Sequence, residues 1–343
     1  MMNTPPYKAN SQLIQGSKLI CPFNKDEIRI FFSLVDYRNN YFTSDDPEKI
    51  IEFYNSFENR DQLIQWMKER PKGRAKIIEV EGDKEIIVVI PTAYFNGKYA
   101  KECRENIFKG LHIVFVESGF PKDPYFNYAH NCNVGIKKAM EYKPKWIILS
   151  NDDMYKIDDI GVLRNDLESI DSKVVSVVFT EFSEYHSVYN KVTRRNWIEK
   201  KYLILRNKTY GKTINLLLDK FNVNVIIVRN FGFRKYLTAR GYSYVDFIDF
   251  CVFSYNFLNA NTYLFDENFI NQKEDSDFSL FISTNKIISA KTQYKIGDMI
   301  GSALGTGLNR VLRSIASDTY FNYKWKNLME KKMGHRAFPW VHR

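Results

Sequence analysis

From Glu85 onward the chain alternates short apolar runs with amphipathic stretches, and no other feature narrows its fold as much. "EIIVVIPT" (85–92), "LHIVFVES" (111–118) and "KWIILSND" (145–152) read as strands. Between them, "KYAKECRENIFKG" (98–110) reads as a helix closed by Gly110, and "NYAHNCNVGIKKAMEY" (127–142) as a second helix. Strands that are apolar on both faces need cover on both sides, and helices alternating with strands supply it around a parallel sheet. The expected class is therefore α/β, with a doubly wound, mostly parallel sheet and helices on both faces. Ligands of such sheets sit beyond the carboxyl ends of the strands. Those ends carry Pro91-Thr92-Ala93, Glu117-Ser118-Gly119 and Asn151-Asp152-Asp153.

Asp152 and Asp153 leave a buried strand side by side. Adjacent carboxylates repel, and burying both raises a pKa or costs stability unless a cation intervenes. Mg²⁺ and Mn²⁺ take oxygen ligands and combine one or two carboxylates with substrate phosphates. The plainer alternative is that one aspartate caps the segment that follows. A second acidic cluster lies in "FDENFINQKEDSDFSLFIS" (265–283), where Glu274, Asp275 and Asp277 open a helical pattern whose inner face carries Phe278, Phe281 and Ile282. Acids in a first turn suit the macrodipole. A carboxylate beside apolar walls can also act as a general base toward an attacking hydroxyl.

With 343 residues, 44% of them hydrophobic and 26% charged, the chain can build a substantial core. Its longest apolar runs, such as Ile86 to Ile90, are far shorter than the roughly 18–20 residues of a spanning helix. "MMNTPPYKAN" has no positive and apolar leader pattern. Cys21, Cys103, Cys132 and Cys251 are far apart, with no C-x-x-C pair, which suits a reducing, cytoplasmic setting and suggests neither zinc nor a disulfide framework. The net charge of +10 is concentrated in 183–212 and 301–343, each locally +6. Such patches attract anions. No helix-turn-helix, zinc-finger or RNP-like pattern accompanies them, so nucleic acid is not the expected partner.

Residues 1–84 read as a small α/β extension, with a strand in "EIRIFFSLVD", helices in "DPEKIIEFYNSF" and "RDQLIQWMKERP", and two strands around the turn in "AKIIEVEGDKEIIVVIPT". Further on, "KVVSVVFTEF" and "VNVIIVRN" read as strands flanking a basic stretch assigned to the acceptor side. Residues 301–343 combine the end of a glycine-rich loop (297–307) with a basic, aromatic helical tail. The loop is either a linker or a phosphate-contacting lid. The tail either packs its aromatic stripe on the domain or lies peripherally on an anionic membrane surface.

The series of motifs over 85–300 resembles the inverting family-2 glycosyltransferases, whose nucleotide-diphospho-sugar-binding fold is called GT-A. The resemblance rests on "IIVVIPT", "HIVFVESG", Asn133, Gly135 and Ala139 in "NCNVGIKKAM", Asn151-Asp152-Asp153 at the place of the DxD motif, and "FDENF" followed by "EDSD". It implies that Pro91, Thr92, Glu117, Asn133 and Asp152 bind the donor nucleotide. It also implies that Asp153, with Asn151 and Asp298, holds Mn²⁺ or Mg²⁺, and that Asp275, with Glu274 beside it, is the catalytic base. The implied partners are a nucleotide-sugar donor and a glycan, lipid-linked or protein acceptor. This sequence departs from the pattern in having Glu117 for the usual aspartate, Asn151 at the first DxD position, and no histidine after the base helix, where Lys295 or Asp298 stands. The alternatives are a sugar nucleotidyltransferase, against which "PTAYFNGKYAKE" holds one glycine only, and a basic nucleic-acid binder.

Overall fold

The computed structural model describes residues 37–119, 123–180, 184–190, 208–223, 225–229, 243–246, 250–261, 264–285, 287–298 and 307–333. The strand expected in "EIRIFFSLVD", most of the basic stretch after Asn190 and most of the glycine-rich loop lie outside them.

The chain is α/β. Its main sheet contains β1 (Lys76–Val80), β2 (Asp83–Thr92), β3 (Leu111–Glu117), β4 (Trp146–Ser150), β6 (Val177–Phe179), β10 (Phe250–Ser254) and β11 (Ser289–Lys291), in the order β1-β3-β2-β4-β10-β6-β11. All strands but β1 and β10 run in one direction. The sheet is thus mixed, and mostly parallel in direction. The smaller strands β5 (Met154–Lys156) and β12 (Ile296–Asp298) pair as a ribbon, and β7 (Glu184–Asn190), β8 (Val225–Arg229) and β9 (Ser243–Asp246) form a separate three-stranded sheet.

The apolar runs are buried on both faces because the strands alternate. Ile86, Val88 and Ile90 of β2 and Ile148 of β4 point to one layer; Ile87, Val89, Ile147 and Leu149 point to the other. The first layer is covered by α3 (Lys98–Glu102), which continues as a π-helical turn over Cys103–Ile107, and by α5 (Ile160–Glu168). The second is covered by α4 (Tyr128–Met140), α7 (Tyr255–Ala260) and α8 (Glu274–Thr284). The helix expected over 98–110 therefore forms, widened in its second half.

The two strands expected around "EGDK" also form, but β1 and β2 do not pair with each other. Both flank β3, so the turn between them crosses the start of that strand. A Cβ on Gly82 would lie 2.3 Å from the Leu111 carbonyl oxygen, and only glycine fits a crossing this close.

A third core joins α1 (Pro47–Asn55), α2 (Arg60–Glu69), α6 (Gly211–Lys220) and α9 (Gly307–Met333). Leu312, Ile315, Ala316, Tyr320 and Phe321 put one face of α9 into it, and the Tyr54 hydroxyl donates to the Leu312 carbonyl at 2.7 Å. Tyr320 and Phe321 of the tail are thus packed on the protein, while Tyr323 is exposed. Among the described residues, no helix is long and apolar enough to cross a membrane.

Candidate functional site

Register brings the strand ends together. Thr92 pairs with Glu117 across β2 and β3, and β2 lies next to β4, whose last residue Ser150 precedes Asn151-Asp152-Asp153. Pro91 sits beyond Val89, where the pairing of β2 with β4 stops, so its missing N–H costs no bond to that strand.

Thr92 Oγ1 donates to Asp152 Oδ2 at 2.6 Å and accepts from the Tyr94 N–H at 3.3 Å. Burial pushes Asp152 up to about 6; the Thr92 hydroxyl pulls the other way, and the Asp153 carboxylate adds to the rise. Asp152 and Asp153 occupy the bend between β4 and β5, and the next residue, Met154, is buried. Across the ribbon the backbone of Asp298 pairs with that of Met154.

Glu117 has a local partner. Its Oε2 accepts from the Phe95 N–H at 2.8 Å, and Lys76 Nζ lies 3.9 Å from Oε1. It thereby fixes the loop that follows β2. Asn133 is likewise engaged: Nδ2 donates to the Phe265 carbonyl at 2.8 Å and to Glu267 Oε1 at 3.0 Å, while Oδ1 accepts from the Phe265 N–H at 3.1 Å. These bonds tie α4 to the segment leading into the second acidic cluster.

That cluster divides in two. Asp266 and Asp277 face Lys324 of α9, with Nζ–O distances of 2.7 Å and 2.8 Å, and Glu267 meets His130 Nδ1 at 2.9 Å. The His130 hydrogen bond holds the Glu267 carboxyl below its ordinary range. Glu274 and Asp275 remain at the start of α8, both buried, where the macrodipole favours negative charge. Lys273 precedes them with φ 75°, a left-handed conformation that turns the chain sharply into the helix. Its Nζ pairs with Asp318 at 3.2 Å.

Two bonds link the first cluster to the second. The Tyr128 hydroxyl donates to Asn151 Oδ1 at 2.7 Å, and the Tyr128 N–H donates to Asn271 Oδ1 at 2.8 Å. Asn127, the N-cap of α4, donates through Nδ2 to the carbonyls of Glu267 and Phe269, both at 2.9 Å. The start of α4 thus holds the β4 end and the approach to α8 on one rim of the sheet. Sequence reading missed Tyr128, Asn127 and Asn271; only the N-cap signature of Asn127 before an amphipathic run was available to find one of them.

Carboxylate oxygens are donors of the kind that a hard divalent cation takes. Two adjacent carboxylates, one desolvated enough to hold its proton to about pH 6, form an oxygen-rich position whose charges repel. Among the described residues, no three His, Cys, Asp or Glu side chains are grouped to hold an ion. An ion here would complete its shell with ligand oxygens.

No protein-family model matches the chain, and no curated protein matches its sequence.

Proposed function

We propose that the protein is an inverting glycosyltransferase with a GT-A-type arrangement, moving a sugar from a nucleotide-diphosphate donor to an acceptor hydroxyl. What supports this most is the Tyr128 tie, which joins the end carrying Asp152 and Asp153 to the segment opening α8 with Glu274 and Asp275. A reaction that needs a diphosphate site and a separate base needs both clusters on one rim.

In this reading Pro91, Thr92 and Glu117 border the nucleotide, with Thr92 also orienting Asp152. Asn133 acts from behind by holding the 265–267 segment. Mn²⁺ or Mg²⁺ held by Asp153, with Asn151, Asp152 and Asp298 around it, would neutralise charge on the leaving diphosphate. Asp275 takes the proton from the acceptor hydroxyl. The acceptor oxygen bonds to the anomeric carbon as the bond to the diphosphate breaks on the opposite face, which inverts the centre. A glycan, lipid-linked or protein acceptor would supply the hydroxyl. Any membrane contact by the tail would use the outer basic face of α9 or the chain beyond it, because the inner face is covered.

The test is thermal unfolding with a panel of nucleoside diphosphates, with and without Mn²⁺. One of them should stabilise the protein, and Asp153→Ala should remove the effect. Asp275→Asn should keep nucleotide binding and lose sugar transfer. If no nucleoside diphosphate shifts the transition under either condition, the reading fails.

A further inference from the structure

The segment that joins α2 to β1 is fastened to the chain leading from β3 into α4. Arg70 donates to the carbonyls of Pro124 at 2.7 Å and Tyr125 at 3.2 Å, and the Arg74 N–H donates to Asp123 Oδ2 at 2.9 Å. Between them, a Cβ on Gly73 would lie 2.8 Å from the Tyr125 carbonyl oxygen and the Phe126 nitrogen, so only glycine fits. This docking sets Arg74 at the end of β3. Lys76 pairs with Glu117 in an antiparallel register, and the same register carried two residues further puts Arg74 opposite Gly119. Opposed residues share a face of the sheet, so Arg74 and Glu117 are diagonal neighbours on one face. A Cβ on Gly119 would lie 2.9 Å from Arg74 Cζ; the guanidinium rests against the strand end because residue 119 has no side chain. Arg74 is exposed, and among the described residues its guanidinium has no hydrogen-bond or ion-pair partner. Among the same residues Glu117 Oε1 has Lys76 alone, at 3.9 Å.

We propose that Arg74 and Glu117 select guanine as the base of the donor, so that the sugar arrives on guanosine diphosphate. The inference rests on the nucleotide site of the proposed reaction, which Glu117 borders, and adds to it a residue from outside the sheet. A carboxylate beside a guanidinium offers acceptor oxygens next to a planar fork of donors. Guanine presents the complement. Its N1–H and 2-amino group donate toward a carboxylate, and its O6 and N7 accept from an arginine fork. Uracil has a single N–H between two carbonyls. Adenine has one amino group between N1 and N7, and cytosine one beside N3 and O2, so in each of these three bases the carboxylate meets a single donor group. Positive charge alone would favour every nucleotide equally; the fork beside the carboxylate favours one.

Calorimetry on the full chain, in Mn²⁺, with the diphosphates of guanosine, adenosine, cytidine and uridine tests the proposal. Guanosine diphosphate should bind at least tenfold more tightly than the other three. Inosine diphosphate lacks the 2-amino group and 7-deazaguanosine diphosphate lacks the N7 acceptor, so each should bind several-fold more weakly than guanosine diphosphate. Arg74→Gln should weaken guanosine diphosphate at least tenfold and uridine diphosphate less than twofold. Arg74→Lys keeps the charge without the fork and should not restore the guanine preference. Arg74 is exposed, so both variants should unfold at the temperature of the wild type. Another base bound as tightly as guanine, or an equal loss for all four in Arg74→Gln, would overturn the inference and leave the transfer reading standing. Binding of none of the four would remove both.

Discussion

The Tyr128 hydroxyl donates to Asn151 Oδ1 across 2.7 Å, joining the first residue of α4 to the residue that begins the acidic strand end. The same residue's N–H reaches Asn271, three positions before Glu274. One tyrosine therefore spans the gap between two acidic clusters about 120 residues apart in sequence.

Tyr128→Phe should remove the side-chain bond and keep the backbone one. The expected stability loss is about 0.5–1.5 kcal/mol, the usual net value of one hydrogen bond, read from denaturant midpoints at constant m-value. Under the proposed reaction, sugar transfer should fall by more than that loss explains, because the β4 end is no longer pinned to the base segment. A variant with full transfer activity would show that the tie only braces the fold.

Asp152→Asn gives a pH test. A carboxyl whose pKa rises on folding favours the folded state below its unfolded value of about 3.9. That contribution is lost as pH climbs through about 6. The two proteins should therefore unfold at similar temperatures near pH 4. By pH 8 the asparagine variant should be the more stable, by on the order of 2 kcal/mol. The substituted amide can still accept from the Thr92 hydroxyl through its oxygen, so a lost hydrogen bond does not obscure the result. A variant equally or less stable at pH 8 would mean that the Asp152 charge is already compensated in the wild type.

The strands and helices between Glu85 and Ser150 and the polar strand ends were legible because continuous apolar runs and 3.6-residue periodicity are local properties of the chain, whereas β10, which enters the middle of the sheet, carried no such mark. β1 was legible as a strand but its partner was not, since pairing with β3 instead of β2 depends on Gly82 passing over Leu111. The acids of 265–277 could be counted in sequence. Their division could not, because Lys324 reaches Asp266 and Asp277 from a helix some fifty residues away. The bonds of Asn133 and Glu117 to nearby backbone were hidden for the same reason: a side chain's partner is set by packing, which leaves no periodic mark.

Gly135→Ala should test how closely α4 lies on the sheet. A Cβ there would come within 2.4 Å of Val89 Cγ1 and 2.7 Å of Val116 Cγ2. Neither valine can move away without disturbing the central strands. Overpacking of this kind costs about 1–3 kcal/mol, visible as a lower denaturant midpoint. Since Asn127 and Tyr128 lie at the start of the same helix, the strain should also perturb the rim, and α4 amides should exchange faster there.

Lys324→Met should expose how much α9 relies on its lysine. Removing it leaves Asp266 and Asp277 close together and poorly solvated. Breaking one side of a fully buried ion pair costs ~3–5 kcal/mol, but Lys324 retains 34% of its side-chain surface, so about 2–3 kcal/mol is expected. Adding Asp277→Asn to Lys324→Met should recover part of the loss, because the remaining repulsion disappears. A double variant no more stable than the single one would place the cost in lost packing of the lysine stem.

Membrane contact by the tail needs a deletion that spares the core. Phe321→Ala should cost about 3–5 kcal/mol, since the ring is 1% exposed among α1, α2 and α6. Removing residues from 308 onward should leave the chain unable to fold at all, and pelleting of such a protein would report aggregation. Deletion after Met333 retains the whole of α9, so its unfolding transition should match that of the full chain. Sedimentation with anionic vesicles can then be compared between two folded proteins, at low and high salt. If the last ten residues supply the contact, the shorter chain should stay in the supernatant at low salt; if both pellet alike, those residues do not supply it.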